Sequence, residues 1–222
     1  MAQKAFTWSY STLNSFETCP RKHYHTSIKK DYVEAPSEAM AWGSAVHKAM
    51  EERIAKGRRL RNGLDKYEKI CAKFDNVKGT VIAEQKVCLN ENLQPTGYFD
   101  KDAWVRGVFD VVVLDDKSAK IIDWKTGKRK PDSEQLKLFA GLALGTYEVD
   151  RVTTQFVWLQ DKVADRPDEF LREDEAGIWE DFLPRVERFK ESYIASDWPE
   201  KPSGLCRGWC PVKDCSYWEP KR

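Results

Sequence analysis

A mixed α/β fold with a mainly antiparallel central sheet is what this sequence predicts, and three observations carry the prediction. Helical patterns open the chain, strand patterns cluster in the middle, and one helical segment separates two of the strands before a long final helix. Two strands, Val105 to Leu114 and Ala119 to Lys125, flank Asp115-Asp116-Lys117-Ser118, whose residues have turn chemistry. The third observation is the period of the last helix, where Trp179, Phe182, Val186, Phe189 and Tyr193 recur at spacings of three and four.

In chain order, Ser11 is placed to cap a short first helix that presents Leu13 and Phe16 and ends near Pro20. After an Ala/Pro/Ser link at 35–37, a helix runs from Ala39 to Lys56, with Met40, Ala41, Val46 and Met50 as a patchy stripe and Gly57 as its stop. A further helix is expected from Leu64 to Phe74. Strands follow at Thr80 to Leu89 and Gly97 to Asp100, then the hairpin. Ser133 is placed to cap a helix through Leu144 that ends at Gly145, and Val152 to Leu159 reads as a strand. Pro184 predicts a kink or a restart in the final helix. The whole of 1–222 is read as a single domain.

Composition narrows the class. Lysines and arginines number 37 against 36 acids, a net charge of +1, so global charge neither requires nor excludes nucleic acid. The basic runs Arg58-Arg59-Leu60-Arg61 and Lys125 to Lys130 are local. Apolar runs are too short for a membrane span and the start is too polar for a secretory signal, which predicts a cytoplasmic protein without a membrane partner. The nine tryptophans need a core or flat surfaces on which to stack.

The hairpin carries the chemistry. If residues 115–118 form its loop, Leu114 faces Ala119 and Asp110 stands opposite Asp123, where Cβ atoms lie about 4.5–5.5 Å apart. Lys125, two residues on, shares the face of Asp123. Two carboxylates so close repel unless a proton or cation lies between them, so a hard divalent metal with an amine beside it would explain the pattern. His47, one helical turn from Gly43, is a candidate ligand, and the glycine would let a backbone approach. Glu84 is either an edge acid or part of an acidic pocket. Gln135 and Phe139, one turn apart, offer an amide toward phosphate or lysine and an aromatic ring.

The cysteines fall into two groups. Cys71 and Cys88 are expected as buried thiols. Cys206, Cys210 and Cys215 crowd a tail too short to fold alone, and Cys19 is the candidate for a fourth ligand, joining the two ends of the chain through a metal centre. Spacing leaves zinc and iron–sulfur both open.

These motifs in this order resemble the RecB-type branch of the PD-(D/E)XK nucleases: Gly43-x-x-x-His47, Gly107-Val108-Phe109-Asp110, Asp123-Trp124-Lys125 and Gln135-x-x-x-Phe139. The opening pattern from Ser9 to Lys22 and the four cysteines also match; in AddB and the CRISPR-associated RecB-like exonucleases such cysteines hold a 4Fe-4S cluster. Two departures stand out. The tail cysteines are spaced x3 and x4 rather than x2 and x5, and Phe139 replaces the family's tyrosine, whose hydroxyl it lacks.

The resemblance implies a restriction-endonuclease-like core and a DNA exonuclease acting on linear ends in recombination, repair or phage DNA processing. Asp110, Asp123, His47 and the Trp124 carbonyl would ligate Mg2+ or Mn2+. Lys125 would orient or deprotonate water, with Gln135 positioning it. Glu84, Arg21, Lys128, Arg129, Lys130 and Phe139 are candidates for substrate contact, the basic ones through phosphate. A Walker A pattern is missing, so any helicase is a separate partner; a single-strand annealing recombinase is another. The host would be a bacterial or phage-infected cell. A non-catalytic, zinc-stapled nucleic-acid-binding module and a structure-specific endonuclease are the alternatives.

Overall fold

The structure, a computed structural model, describes residues 6–32, 37–130 and 134–220. It resolves into two compact units, one from the chain ends (Met1–Pro36 with Asp181–Arg222) and one spanning Ser37–Glu180.

The larger unit is built on a six-stranded mixed sheet flanked by helices. β1 (Thr80–Leu89), β2 (Val105–Asp115) and β3 (Ser118–Lys125) run antiparallel, and β4 (Arg151–Trp158) lies parallel to β3. Parallel neighbours need a crossover, which a helix over Glu134–Thr146 supplies. β5 (Val163–Ala164) and β6 (Asp168–Leu171) both pair antiparallel with β4. The sequence pattern missed these two, for they are short and mostly exposed and so carry no apolar alternation.

The hairpin register matches the expectation from Leu114–Ala119 to Val111–Ile122, where the paired ladder ends; Asp110 and Asp123, expected opposite each other, lie just beyond it and are not a ladder pair. Its loop is tighter, since Asp115 still pairs with Ser118 and only Asp116-Lys117 turn, with Asp116 at φ 48°. Gly97–Asp100 is not a strand. The Gly97 N–H donates to Asp100 Oδ2 at 3.0 Å, and the Asp100 N–H to Gly97 O at 3.0 Å, which closes a turn.

In chain order the α-helices are α1 (Tyr10–Thr18), α2 (Pro20–His23), α3 (Glu38–Lys56), α4 (Glu68–Cys71), α5 (Glu134–Thr146) and α6 (Glu175–Ala195). Ser37 Oγ accepts the Met40 N–H at the start of α3, and Gly57 at φ 67° ends it. The buried stripe of α3 begins at Val46; Met40 and Ala41 are exposed. Val46 and Met50 pack with Val111, Val113, Ile122, Trp124 and Leu159. The expected Leu64 to Phe74 helix is broken into 3-10, α and 3-10 turns over Asp65–Phe74. α5 ends one residue past Gly145, and glycine is required there because a side chain would meet Leu89 Cδ1 at 2.6 Å. The Ser133 cap falls outside the described residues. Cys71 and Cys88 are buried, and burial pushes the Cys71 thiol up to about 12.

In the smaller unit α1 starts at Tyr10 because Ser9, not Ser11, is the cap: the Ser9 N–H donates to Thr12 Oγ1 at 2.8 Å, and Ser9 Oγ accepts the Thr12 N–H. Phe16 stacks on Phe189 of α6 at 4.6 Å, and Arg185 of α6 forks onto Glu17 at 2.7 and 2.6 Å. α6 continues through Pro184 without a restart.

Candidate metal centre and active site

The site begins with a fault in the β1–β2 ladder. Phe109 meets Phe139 of α5 edge-on at 5.1 Å, yet Val111, two residues later, joins Val46 and Met50 of α3. Residues i and i+2 of an unbroken strand share a face, so the alternation fails at Asp110. Its neighbour across the ladder is Glu84: Ala83 pairs with Val111 and Gln85 with Phe109, while Glu84 between them adopts φ 51°. A non-glycine residue held in this region is strained and persists only when its surroundings fix it.

The fault gathers acids beneath α3. His47 Nδ1 lies 2.9 Å from Asp110 Oδ1. One ligand atom each from His47, Glu84 and Asp110 all lie within 4.8 Å of one another, the one such group of three or more among the described residues. The other Asp110 oxygen, Oδ2, accepts the Trp124 N–H at 2.7 Å, which ties Asp110 to the strand that carries Asp123. A Cβ on Gly43 would lie 3.0 Å from Thr126 Oγ1, so glycine keeps that approach open. Gly43, Ser44, His47, Lys48, Glu51 and Glu84 line an open cleft at this point.

Asp123 and Lys125 share a face, as the spacing requires. Lys125 Nζ lies 2.6 Å from Asp123 Oδ2 and donates to Gln135 Oε1 at 2.8 Å, while Gln135 Nε2 donates to Asp123 Oδ1 at 3.0 Å. Gln135, at the start of α5, thus closes a triangle with acid and amine. Lys125 also stands 4.7 Å from the centre of the Phe156 ring. Asp123 Oδ2 is buried and has no aligned hydrogen bond, only the ion pair.

Charge in the site is unbalanced. Burial raises the Asp123 carboxyl, Lys125 opposes that, and Asp110 adds to it. Glu84 is raised by burial and by Asp110 and Glu51. Burial works against a charged His47, yet the Asp110 hydrogen bond and the acids around it hold the imidazole above its ordinary range. Carboxylates that climb while an imidazole is drawn up beside them mark a place with too little positive charge. A hard divalent cation fits that deficit and this oxygen-rich donor set with one imidazole.

The remaining candidates divide. Lys128 and Lys130 line a cleft with Lys125, Gln135, Phe156 and Trp158. Arg129 pairs with Asp165 at 2.5 Å, and Arg21 with Glu200 at 2.9 Å. Phe139, expected to face substrate, is buried against Phe109, and a Cβ on Gly107 would lie 3.7 Å from its ring; its role here is packing. Cys19, Cys206, Cys210 and Cys215 line one pocket of the smaller unit, all four as free thiols, with Lys22 and Lys201 beside them.

A half-buried cluster of acids and one histidine, with a lysine clamped beside it on the next strand, defines the class of metal-dependent nucleases. The family model of the PD-(D/E)XK nuclease superfamily matches residues 7–78 and 80–215, so the chain belongs to that superfamily. Among solved structures it is similar to SSO0001, with 15% identity over 97% of this chain and 88% of the other and a TM-score of 0.50. A protein from Eubacterium rectale named only as a candidate exonuclease is similar at 13% identity over 90% and 91% of the two chains, with a TM-score of 0.47. Identities this low show the fold alone. No curated protein matches the chain. Among the described residues no helix is long and apolar enough to cross a membrane.

Proposed function

We propose that the protein is a DNA exonuclease of the RecB type, hydrolysing phosphodiester bonds at the ends of linear DNA with Mg2+ or Mn2+. The observation that carries the reading is the pairing of two half-sites on adjacent strands: His47, Glu84 and Asp110 within ligand distance of one another, and the Asp123–Lys125–Gln135 triangle. His47, Glu84 and Asp110 would hold the cation, with Asp123 beside them. When bound, the ion supplies Lewis acidity, lowering the pKa of water and polarising phosphate. Lys125 places an ammonium where negative charge grows on the phosphate, and its contacts with Asp123 and Gln135 hold it there. Gln135 holds both partners to one geometry, which is worth most when reacting groups must be aligned before reaction. Lys128 and Lys130 add salt-sensitive attraction for the backbone without reading bases.

The cysteine pocket supports a second metal centre, structural in role, that ties Cys19 to the tail. A single zinc with Zn–S near 2.3 Å asks for sulfurs about 3.8 Å apart. The likeness of the four-cysteine pattern to 4Fe-4S clasps favours an iron–sulfur cluster, with zinc on the same ligands as the alternative. Recombination, repair or phage DNA processing, with a helicase or an annealing protein as partner, is the setting this activity suits.

The test is digestion of end-labelled linear DNA and covalently closed circles with Mg2+ or Mn2+. Linear DNA is expected to shorten from its ends while circles survive, and Lys125→Ala is expected to lose more than a hundredfold in rate while keeping its melting temperature. Nicked or linearised circles would make the enzyme an endonuclease, and an unaffected Lys125→Ala would remove the site.

A further inference from the structure

Beyond the acids, the same ribbon carries a feature that the hydrolytic chemistry does not use. The turn between β1 and β2 presents Tyr98 and Phe99, edge-on to each other at 5.1 Å, and Phe99 is 78% exposed. Lys86 Nζ lies 5.6 Å from the centre of each ring, and the Arg106 guanidinium 5.4 Å from Tyr98 and 5.9 Å from Phe99. Among the described residues no carboxylate forms an ion pair with either cation. Two adjacent rings beside two cations thus offer a π-face and positive charge to solvent at one place.

Its location gives it a use. Val87 and Gly107 turn toward Leu142 and Phe139 of α5, so Lys86 and Arg106, one residue away on each strand, point to the opposite face. That is the face on which Glu84 and Asp110 meet His47 of α3. Lys86 is two residues from Glu84 and Arg106 four from Asp110, roughly 7 Å and 13 Å along the strands at about 3.3 Å per residue. The patch therefore begins within reach of a short stretch of unpaired strand held at the acids.

We infer that Tyr98, Phe99, Lys86 and Arg106 form a stacking platform for single-stranded DNA, which holds unpaired bases next to the strand being cut. The inference deepens the exonuclease reading and rests on it for the choice of DNA. Aromatic rings accept any base on their π-face, and the two cations follow the phosphates, so the platform is tolerant of sequence and sensitive to salt. A base sliding over Phe99 can also take up the cation contacts that the rings now make with Lys86 and Arg106.

The test is fluorescence anisotropy of a labelled oligothymidine and a blunt duplex in EDTA, where no cleavage occurs. Phe99→Ala, whose side chain is nearly all exposed, and the pair Phe99→Ala with Tyr98→Ala are expected to weaken oligothymidine binding by about tenfold or more. Duplex binding should change less than twofold, and Phe99→Trp should restore single-strand affinity. Hydrolysis of bis(p-nitrophenyl) phosphate with Mn2+, a substrate too short to reach the patch, should be unchanged. Oligothymidine affinity within twofold of wild type in the double variant would overturn the platform and leave the patch to a protein partner. Loss of the small-substrate activity would overturn it too, by making the rings a support of the site. If the wild-type protein cleaved no DNA but the anisotropy loss appeared, the exonuclease reading would fail and the platform would stand.

Discussion

Gln135 shows how much one amide can decide. It donates to Asp123 and accepts from Lys125, so it fixes both members of a buried acid–amine pair that would otherwise be held by charge alone. Gln135→Ala is expected to lower kcat about 10–100-fold, the usual cost of losing a partner that orients a site, with little change in KM or melting temperature; steady-state kinetics and a thermal melt check this. His23 tests burial instead of catalysis. It is 2% exposed, its Nδ1 has no hydrogen-bond partner, and burial among Phe16, Phe189 and Trp198 lowers it to about 4. The folded pKa lies below the unfolded one, so the unfolded chain binds the proton first as pH falls. Stability is therefore full above about pH 6.5 and is lost progressively toward pH 4, by roughly 3 kcal/mol in all. Urea unfolding at pH 7 and pH 4.5 should show the loss, and His23→Phe should remove most of it.

β2 is the element on which the molecule turns. Its odd-numbered residues meet α5 through Phe109 and α3 from Val111 onward, and this change of face at Asp110 lets one strand serve the packing of two helices while offering a carboxylate between them. Gly107 belongs to the first half. A methyl there would meet Leu142 Cδ1 at 2.6 Å, so Gly107→Ala is expected to destabilise by about 1–3 kcal/mol through overpacking, read as a lower urea midpoint with an unchanged slope. The glycine of the G-x-x-D motif is thus explained by the close approach of α5. The same approach buries Phe139 and takes it out of reach of substrate.

In the molecule as a whole, the ends of the chain meet at the cysteine pocket. Residue 19 and residues 206–215 are far apart in sequence, and closing so long a loop gains little per added residue but much in total. A metal centre there should act as a staple. Cys19→Ala is expected to lower the bound iron or zinc per chain and the thermal midpoint together, measured by metal analysis, visible absorption and calorimetry. Broad visible absorption in the wild type would mark iron–sulfur, and a colourless protein carrying one zinc would overturn that choice. Unchanged metal content in Cys19→Ala would exclude Cys19 as a ligand.

Local pattern alone was enough to read the hairpin register, the face shared by Asp123 and Lys125, the stop at Gly57 and the long final helix, because each depends on a fixed repeat of two or 3.6 residues or on turn chemistry within a few positions. The broken ladder at Glu84 and Asp110 could not be read that way. A residue forced to φ 51° leaves no mark in its own side chain; the strain is set by what α3 and α5 demand of opposite halves of the same strands. Tertiary packing likewise decided that Glu84 joins His47 and Asp110, that Phe139 is core, and that Tyr98 and Phe99 gather two cations from neighbouring strands. Each of these is a meeting of residues distant in sequence, and the chain's local periodicities hold no record of such meetings.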